Sequence, residues 1–172
     1  MKKIILLLLI VATISACHKD DDNDETLPPA TQTGAGTFAC KINGQSFIDT
    51  SGGYFNCYYQ LIDGEYFFGI GGNDRDLRPW SIFIQTNAKS IIQGETDPLL
   101  ENITNNATGG GGFPETLETI YTNQQYTGEL TITKLDFTNH IVSGTFWFNI
   151  KHPTTGATIE IREGRFDTLF TQ

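Results

Sequence analysis

The chain has 172 residues, enough for one domain with a core of its own after a leader is set aside. Twenty Asp and Glu stand against eleven Lys and Arg, a formal net charge of −9. Such acidity excludes general electrostatic binding to nucleic acid or anionic headgroups, and serves solubility first.

Residues 1–16 read as a signal peptide. Lys2 and Lys3 precede an apolar run, Ile4 to Val11, too short to cross a bilayer as a helix. The run leads to Ile14-Ser15-Ala16-Cys17, which fits the bacterial lipoprotein box: an aliphatic residue, two small residues, then the cysteine that takes the lipid. The alternative is a plain thiol after the cleavage site. Each buried methylene of an attached chain contributes about 0.8 kcal/mol, so several acyl chains together anchor stably. Cleavage before Cys17 removes two lysines and leaves 9 − 20 = −11.

His18 is followed by Lys19 and the acidic run Asp20 to Glu25, which repels itself and stays solvated. Together with Leu27-Pro28-Pro29 and the aperiodic stretch after it, residues 17–35 are expected to be a disordered acidic tether. Lysine and acids directly after a lipidated cysteine resemble the surface-export signal of Bacteroidota lipoproteins. That resemblance implies an outer-membrane lipid anchor with the domain facing the cell exterior; the alternative is the inner leaflet of the outer membrane.

Residues 36–172 should form a single β domain. Thr37 to Ile48 is a hairpin about Asn43-Gly44, because a type I′ turn needs positive φ twice. Gly53 to Gly71 is a second hairpin about Asp63-Gly64. A polar loop, Asn73 to Pro79, precedes a strand from Trp80 to Thr86, and Ile91-Ile92 begins another short one. Residues 95–118 break the rhythm with Pro98, Gly109 to Gly112 and Pro114. Four successive glycines suggest a mobile loop, of a length that is functional or disordered in compact domains. A strand at Thr116 to Thr122 then leads to the most regular part of the chain.

That part, Gly128 to Phe170, alternates apolar and polar residues in three runs separated by turns, an antiparallel meander. Parity switches near Thr133-Lys134 and at Glu163-Gly164, each a candidate bulge. Gly144, among Val142, Phe146, Phe148 and Ile150, leaves a gap for an aromatic ring or marks close backbone approach. The whole predicts an all-β fold of about eight to ten strands, an antiparallel two-sheet sandwich or a flattened barrel. Phe-Ala-Cys-Lys-Ile-Asn-Gly-Gln-Ser-Phe from Phe38, Gly-Glu-Leu-Thr-Ile-Thr-Lys-Leu-Asp from Gly128, Ile-Val-Ser-Gly-Thr-Phe from Ile141 and Glu-Gly-Arg-Phe from Glu163 resemble an uncharacterised family of Bacteroidota lipoproteins, a domain of unknown function, over nearly the whole mature domain. The resemblance implies a fold and a location, and no catalytic residues.

Cys40 and Cys57 both sit on apolar parities, and an oxidising envelope permits a bridge. A disulfide is the expectation, worth about 3 kcal/mol on the chain-entropy model, with two buried free thiols as the other state. His140 and His152 flank one strand, roughly 30 Å apart, too far to share a metal or a dyad. Asn73-Asp74-Arg75-Asp76 spaces oxygens as calcium loops do, but Arg75 repels a cation and the later glutamate is missing. Nucleophile elbows, zincin helices and phosphate loops are absent from the sequence, so it reads as a non-enzyme without metal or cofactor.

The aromatics carry the functional expectation. Tyr54, Tyr58 and Tyr66 crowd neighbouring strands off the core parity, where flat rings stack on sugars or anchor a partner. The bland reading has both faces covered. Trp147 and Ile141 face away from Val142 and Phe146 and raise the same question. The reading is a lipid-anchored envelope β domain binding a glycan or an envelope protein; the alternative is an accessory or structural subunit of an outer-membrane complex.

Overall fold

The computed structural model describes residues 26–51 and 56–172. Cys17, the signal peptide and the acidic run lie outside the described residues, as do Gly52 to Phe55, including Tyr54. The described chain is all β. Its strands are β1 (Thr37–Ile42), β2 (Gln45–Ile48), β3 (Asn56–Ile62), β4 (Glu65–Asn73), β5 (Ser81–Asn87), β6 (Thr96–Leu99), β7 (Asn106–Phe113), β8 (Glu118–Tyr121), β9 (Gly128–Asp136), β10 (Ile141–Lys151) and β11 (Thr158–Leu169).

The all-β expectation holds, with eleven strands in one hydrogen-bonded sheet rather than eight to ten. The order is β2-β1-β11-β10-β9-β6-β7-β5-β4-β3, and β8 pairs with β7. One strand pairing is parallel, Leu99 with Ala107, as is the isolated Tyr58–Thr171 bridge, so the sheet is mixed. It curls strongly into a half-barrel. The chain beyond β11 reaches β3: Tyr59 N donates to Thr171 O at 2.8 Å, and Thr171 N to Cys57 O at 3.0 Å.

Turn chemistry sets the hairpins. Asn43 and Gly44 have φ of 50° and 88°, Asp63 and Gly64 of 52° and 87°, the double positive φ of a type I′ turn. Alternation then sorts the faces. The concave face holds Phe38, Phe68, Ile70, Ile82, Ile84, Leu130, Ile132, Phe146, Phe148, Ile150 and Ile161 in one cluster. Phe166 fills the space over Gly144, as the parity suggested. Ile91 is a buried plug in a loop and begins no strand.

The largest correction concerns residues 95–118. Gly109 to Gly112 are not a mobile loop but the middle of β7, between β5 and the β6–β8 side of the sheet. Their smallness is steric. On the core face a Cβ at Gly109 would lie 2.8 Å from Phe148 Cδ1, and one at Gly111 would lie 2.8 Å from Pro79 Cγ. On the outer face Gly110 lies under Phe83, and Gly112 under Ser81 and Trp80. Side chains from β5, β10 and the loop before β5 occupy the volume a side chain would take, so the strand has almost no apolar side chains of its own to announce it.

The cysteine expectation is also corrected. Cys40 lies in β1 opposite Phe47, and Cys57 in β3 opposite Ile70; both are buried free thiols. Burial raises both thiol pKa values well above the ordinary range.

Candidate functional site

Tyr58 and Tyr66 do not share a face. Tyr58 faces outward, opposite Gly69, and its ring lies flat over that glycine. Burial raises its phenol pKa. With Phe83, Asn56, Asn73, Ser81 and Gln85 it edges a shallow groove of about 260 Å³. That falls below the roughly 300–1,000 Å³ of small-molecule sites. Tyr66 belongs to the other parity: it stacks on Tyr59 at 5.0 Å, beside Phe137 and Phe170. Tyr54 lies outside the described residues.

The remaining sequence candidates are turn residues. His152 Nδ1 accepts the Thr154 and Thr155 N–H groups at 3.2 and 3.3 Å, and the ring packs on Phe113. His140 has φ 55° and meets Phe170 edge-on. Asp74 Oδ1 accepts the Asp76 N–H, a local turn bond. Asn73 to Asp76 line a depression of about 530 Å³ with Trp80, Thr50 and Ser51. Among the described residues no three His, Cys, Asp or Glu are grouped to hold a metal ion.

Trp147 stands in a better-built place. It is 36% exposed on the outer face of β10, in a groove of about 360 Å³. Glu129 and Thr131 of β9, Thr145 of β10, Glu163, Gly164 and Arg165 of β11, and Ala30 surround it. A bulge makes this arrangement. Phe146 pairs with Gly164 but Phe148 pairs with Ile161, so Trp147 faces two residues, Arg162 and Glu163. Glu163 takes φ 53° to accommodate the extra residue. Arg162 and Arg165 are three apart and would point to opposite faces of a regular strand; the bulge turns both outward, beside Trp147.

The indole is held on two sides. Its N–H donates to Glu129 Oε2 at 3.1 Å, and the Arg162 guanidinium lies 5.5 Å from the ring centroid. Arg162 is itself fixed by Phe148 O at 3.0 Å, Ile161 O at 2.9 Å and Asn149 Oδ1 at 2.7 Å. The charges balance locally: Arg162 pairs with Glu160 at 3.1 Å, Lys41 with Glu163 at 3.1 Å and Arg165 with Glu163 at 3.7 Å. Among the described residues no cation pairs with Glu129, and the Thr145 hydroxyl has no hydrogen-bond partner. The result is a flat ring in a locally neutral setting, with a carboxylate and a hydroxyl free to accept hydrogen bonds. It can stack on an apolar ring face and accept from hydroxyl groups beside it.

The sequence flagged Trp147 by parity but missed Glu129, Arg162, Arg165 and Ala30. The two arginines were within reach, since the bulge expected at Glu163-Gly164 implies that they share a face. Ala30 had no local signal. The searches of curated proteins and of solved structures returned no match. Over residues 85–169, from within β5 to the end of β11 and so including Trp147 and its neighbours on β9 to β11 but neither Ala30 nor Tyr58, the chain is similar to the family described as a domain of unknown function, DUF6252.

Proposed function

We propose that this chain is a lipid-anchored envelope module that binds a neutral glycan in the Trp147 groove, without catalysing a reaction. Trp147 carries the proposal: an exposed indole, locked by Glu129 and Arg162, at the floor of a charge-balanced groove of about 360 Å³. A locked ring loses little conformational freedom on binding, so stacking contributes nearly its full strength. Local neutrality favours an uncharged, polyhydroxylated ligand over an acidic one or a nucleic acid. Location rests on the sequence, on Cys17 with its lipoprotein box and the acids after it. Cys17 to Leu27 is 27 − 17 = 10 residues, at most about 36 Å when extended, so the ligand would lie close to the anchoring membrane.

The test is retention of residues 18–172 on immobilised glucan, mannan and galactan. Trp147→Ala should lose retention while the melting temperature changes little, because the ring is on the outer face. Equal retention of the variant would sink the reading.

A second reading, an accessory subunit of an outer-membrane complex, is favoured by a different observation. Leu61, Ile62, Tyr66, Ile92 and Phe137 are all exposed. Tyr66 and Phe137 both pack on Tyr59, and Leu61 pairs with Tyr66, so apolar surface gathers at one end of the sheet. Copurification of envelope proteins, lost on Phe137→Ser, would support it.

A further inference from the structure

The segment before β1 was expected to be tether. From Thr31 to Ala35 it is instead pinned to the outer face of the sheet by one buried carboxylate. Asp167 is 1% exposed. Its Oδ2 accepts the Thr31 hydroxyl at 2.6 Å and the Thr33 and Ala35 N–H groups at 2.9 and 3.2 Å. Its Oδ1 accepts the Gly34 N–H at 2.8 Å and the Ser143 hydroxyl at 2.8 Å. Gly34 at φ 77° turns successive N–H groups to one side, a nest for an anion, here supplied by β11.

The path of this strap follows from the register. On the outer face the β10–β11 pairs run Ile141–Leu169, Ser143–Asp167, Thr145–Arg165, and then Trp147 at the bulge. Gly34 sits over Leu169 and Ile141, the residues Thr31 to Ala35 over Asp167, and Pro28 O accepts from Arg165 Nη1 at 3.3 Å. Ala30 lines the Trp147 groove. Read towards its N-terminus, the strap therefore walks along the β10–β11 pair and leaves the domain beside the indole.

We infer that the strap from Pro28 to Ala35 is a wall of the Trp147 groove and that Asp167 is the residue that positions it, so the order of the tether and the occupancy of the groove are coupled. Coupling is reciprocal: a ligand that touches Ala30 holds the strap down, and a strap held down raises affinity. The positional part stands on geometry alone; the ligand part rests on the glycan reading.

The test uses Asp167→Asn, which keeps the shape and replaces one acceptor oxygen with a donor. In a Trp80→Phe background Trp147 is the one indole, since the chain has two tryptophans. Hydrogen exchange at Thr33, Gly34 and Ala35 should quicken about tenfold or more, as charge-assisted bonds are lost, while Phe146 and Phe148 amides stay protected. Acrylamide quenching of Trp147 should rise above that of the Trp80→Phe parent, because a wall of the groove has left. Strap amides that stay protected, or that exchange faster with no change in quenching, would overturn the inference. Should Asp167→Asn not fold, Thr31→Val removes the 2.6 Å bond alone and is read the same way. In the retention assay Asp167→Asn should elute earlier than wild type on whichever polysaccharide retains the wild type. A wild-type chain retained on none, with quenching that still rises in the variant, refutes the glycan and upholds the strap.

Discussion

At the scale of single residues, the chain shows how the same side-chain type takes opposite roles by burial. Asp167 and Asp136 both have lowered pKa values, yet only Asp167 is buried. Burial alone would raise the Asp167 pKa; the hydrogen bonds from Thr31, Thr33, Gly34 and Ser143 outweigh it and hold it well below the usual carboxylate range. A folded pKa below the unfolded one means that the stabilisation is complete above the unfolded value, about 3.9, and is lost as pH falls through the folded value. The difference in melting temperature between wild type and Asp167→Asn should therefore be constant from pH 7 to about pH 5 and shrink in stronger acid. A difference that vanished near pH 6 would contradict this. The cysteines give a second prediction. Unfolding without reductant should expose two titrating thiols, Cys40 and Cys57, and the native protein should react with neither, since both are buried. Alternation in the sequence placed both on the apolar side of their strands. It could not say that one belongs to β1 and the other to β3, because parity assigns a face and says nothing about neighbours.

At the scale of strands, β7 and β11 mark the limits of sequence reading in different ways. Asn-Gly and Asp-Gly hairpins and the β9–β11 meander were legible, because turn residues and period-2 alternation are local signals. Both parity switches were legible as well: Thr133 is left unopposed between the Ile132–Gly144 and Lys134–Ser143 pairs, and Trp147 faces Arg162 and Glu163. β7 was not, because what makes Gly109 to Gly112 a strand lies elsewhere in the chain: Phe148, Phe83 and Ser81 on other strands, and Pro79 in the loop before β5. Gly109→Ala puts a methyl group against the Phe148 ring and should destabilise the domain by about 1–3 kcal/mol, the usual cost of overpacking. Chemical denaturation checks it. A stability equal to wild type would mean that β7 is looser than described. Gly94, at φ 87° with open space around it, is a poor control, and Gly144, under Phe166, should behave like Gly109.

At the scale of the whole molecule, the sheet's curl decides what is inside, and the bulges decide what is offered outside. The concave face is filled by phenylalanine, isoleucine and leucine. The outer face of β9, β10 and β11 carries Trp147 with Glu129, Arg162 and Arg165, and the strap crosses it before the tether departs. Parity in the sequence put both Tyr58 and Trp147 off the core face, where they stand, while tyrosine density around β3 and β4 drew the reading away from the single tryptophan. Tyr66 turned to the core parity and Tyr58 was spent covering Gly69. Glycan binding by this chain requires that the ligand sit in the groove beside Trp147. Backbone and indole NMR spectra of residues 18–172, titrated with gluco-, manno- and galacto-configured neutral hexasaccharides, address this directly. At least one sugar should shift the Trp147 indole signal together with the amides of Glu129 to Thr131 and Arg162 to Arg165, leaving the Trp80 indole in place. Shifts centred on Trp80 or Tyr58, or none with any of the three, would contradict it.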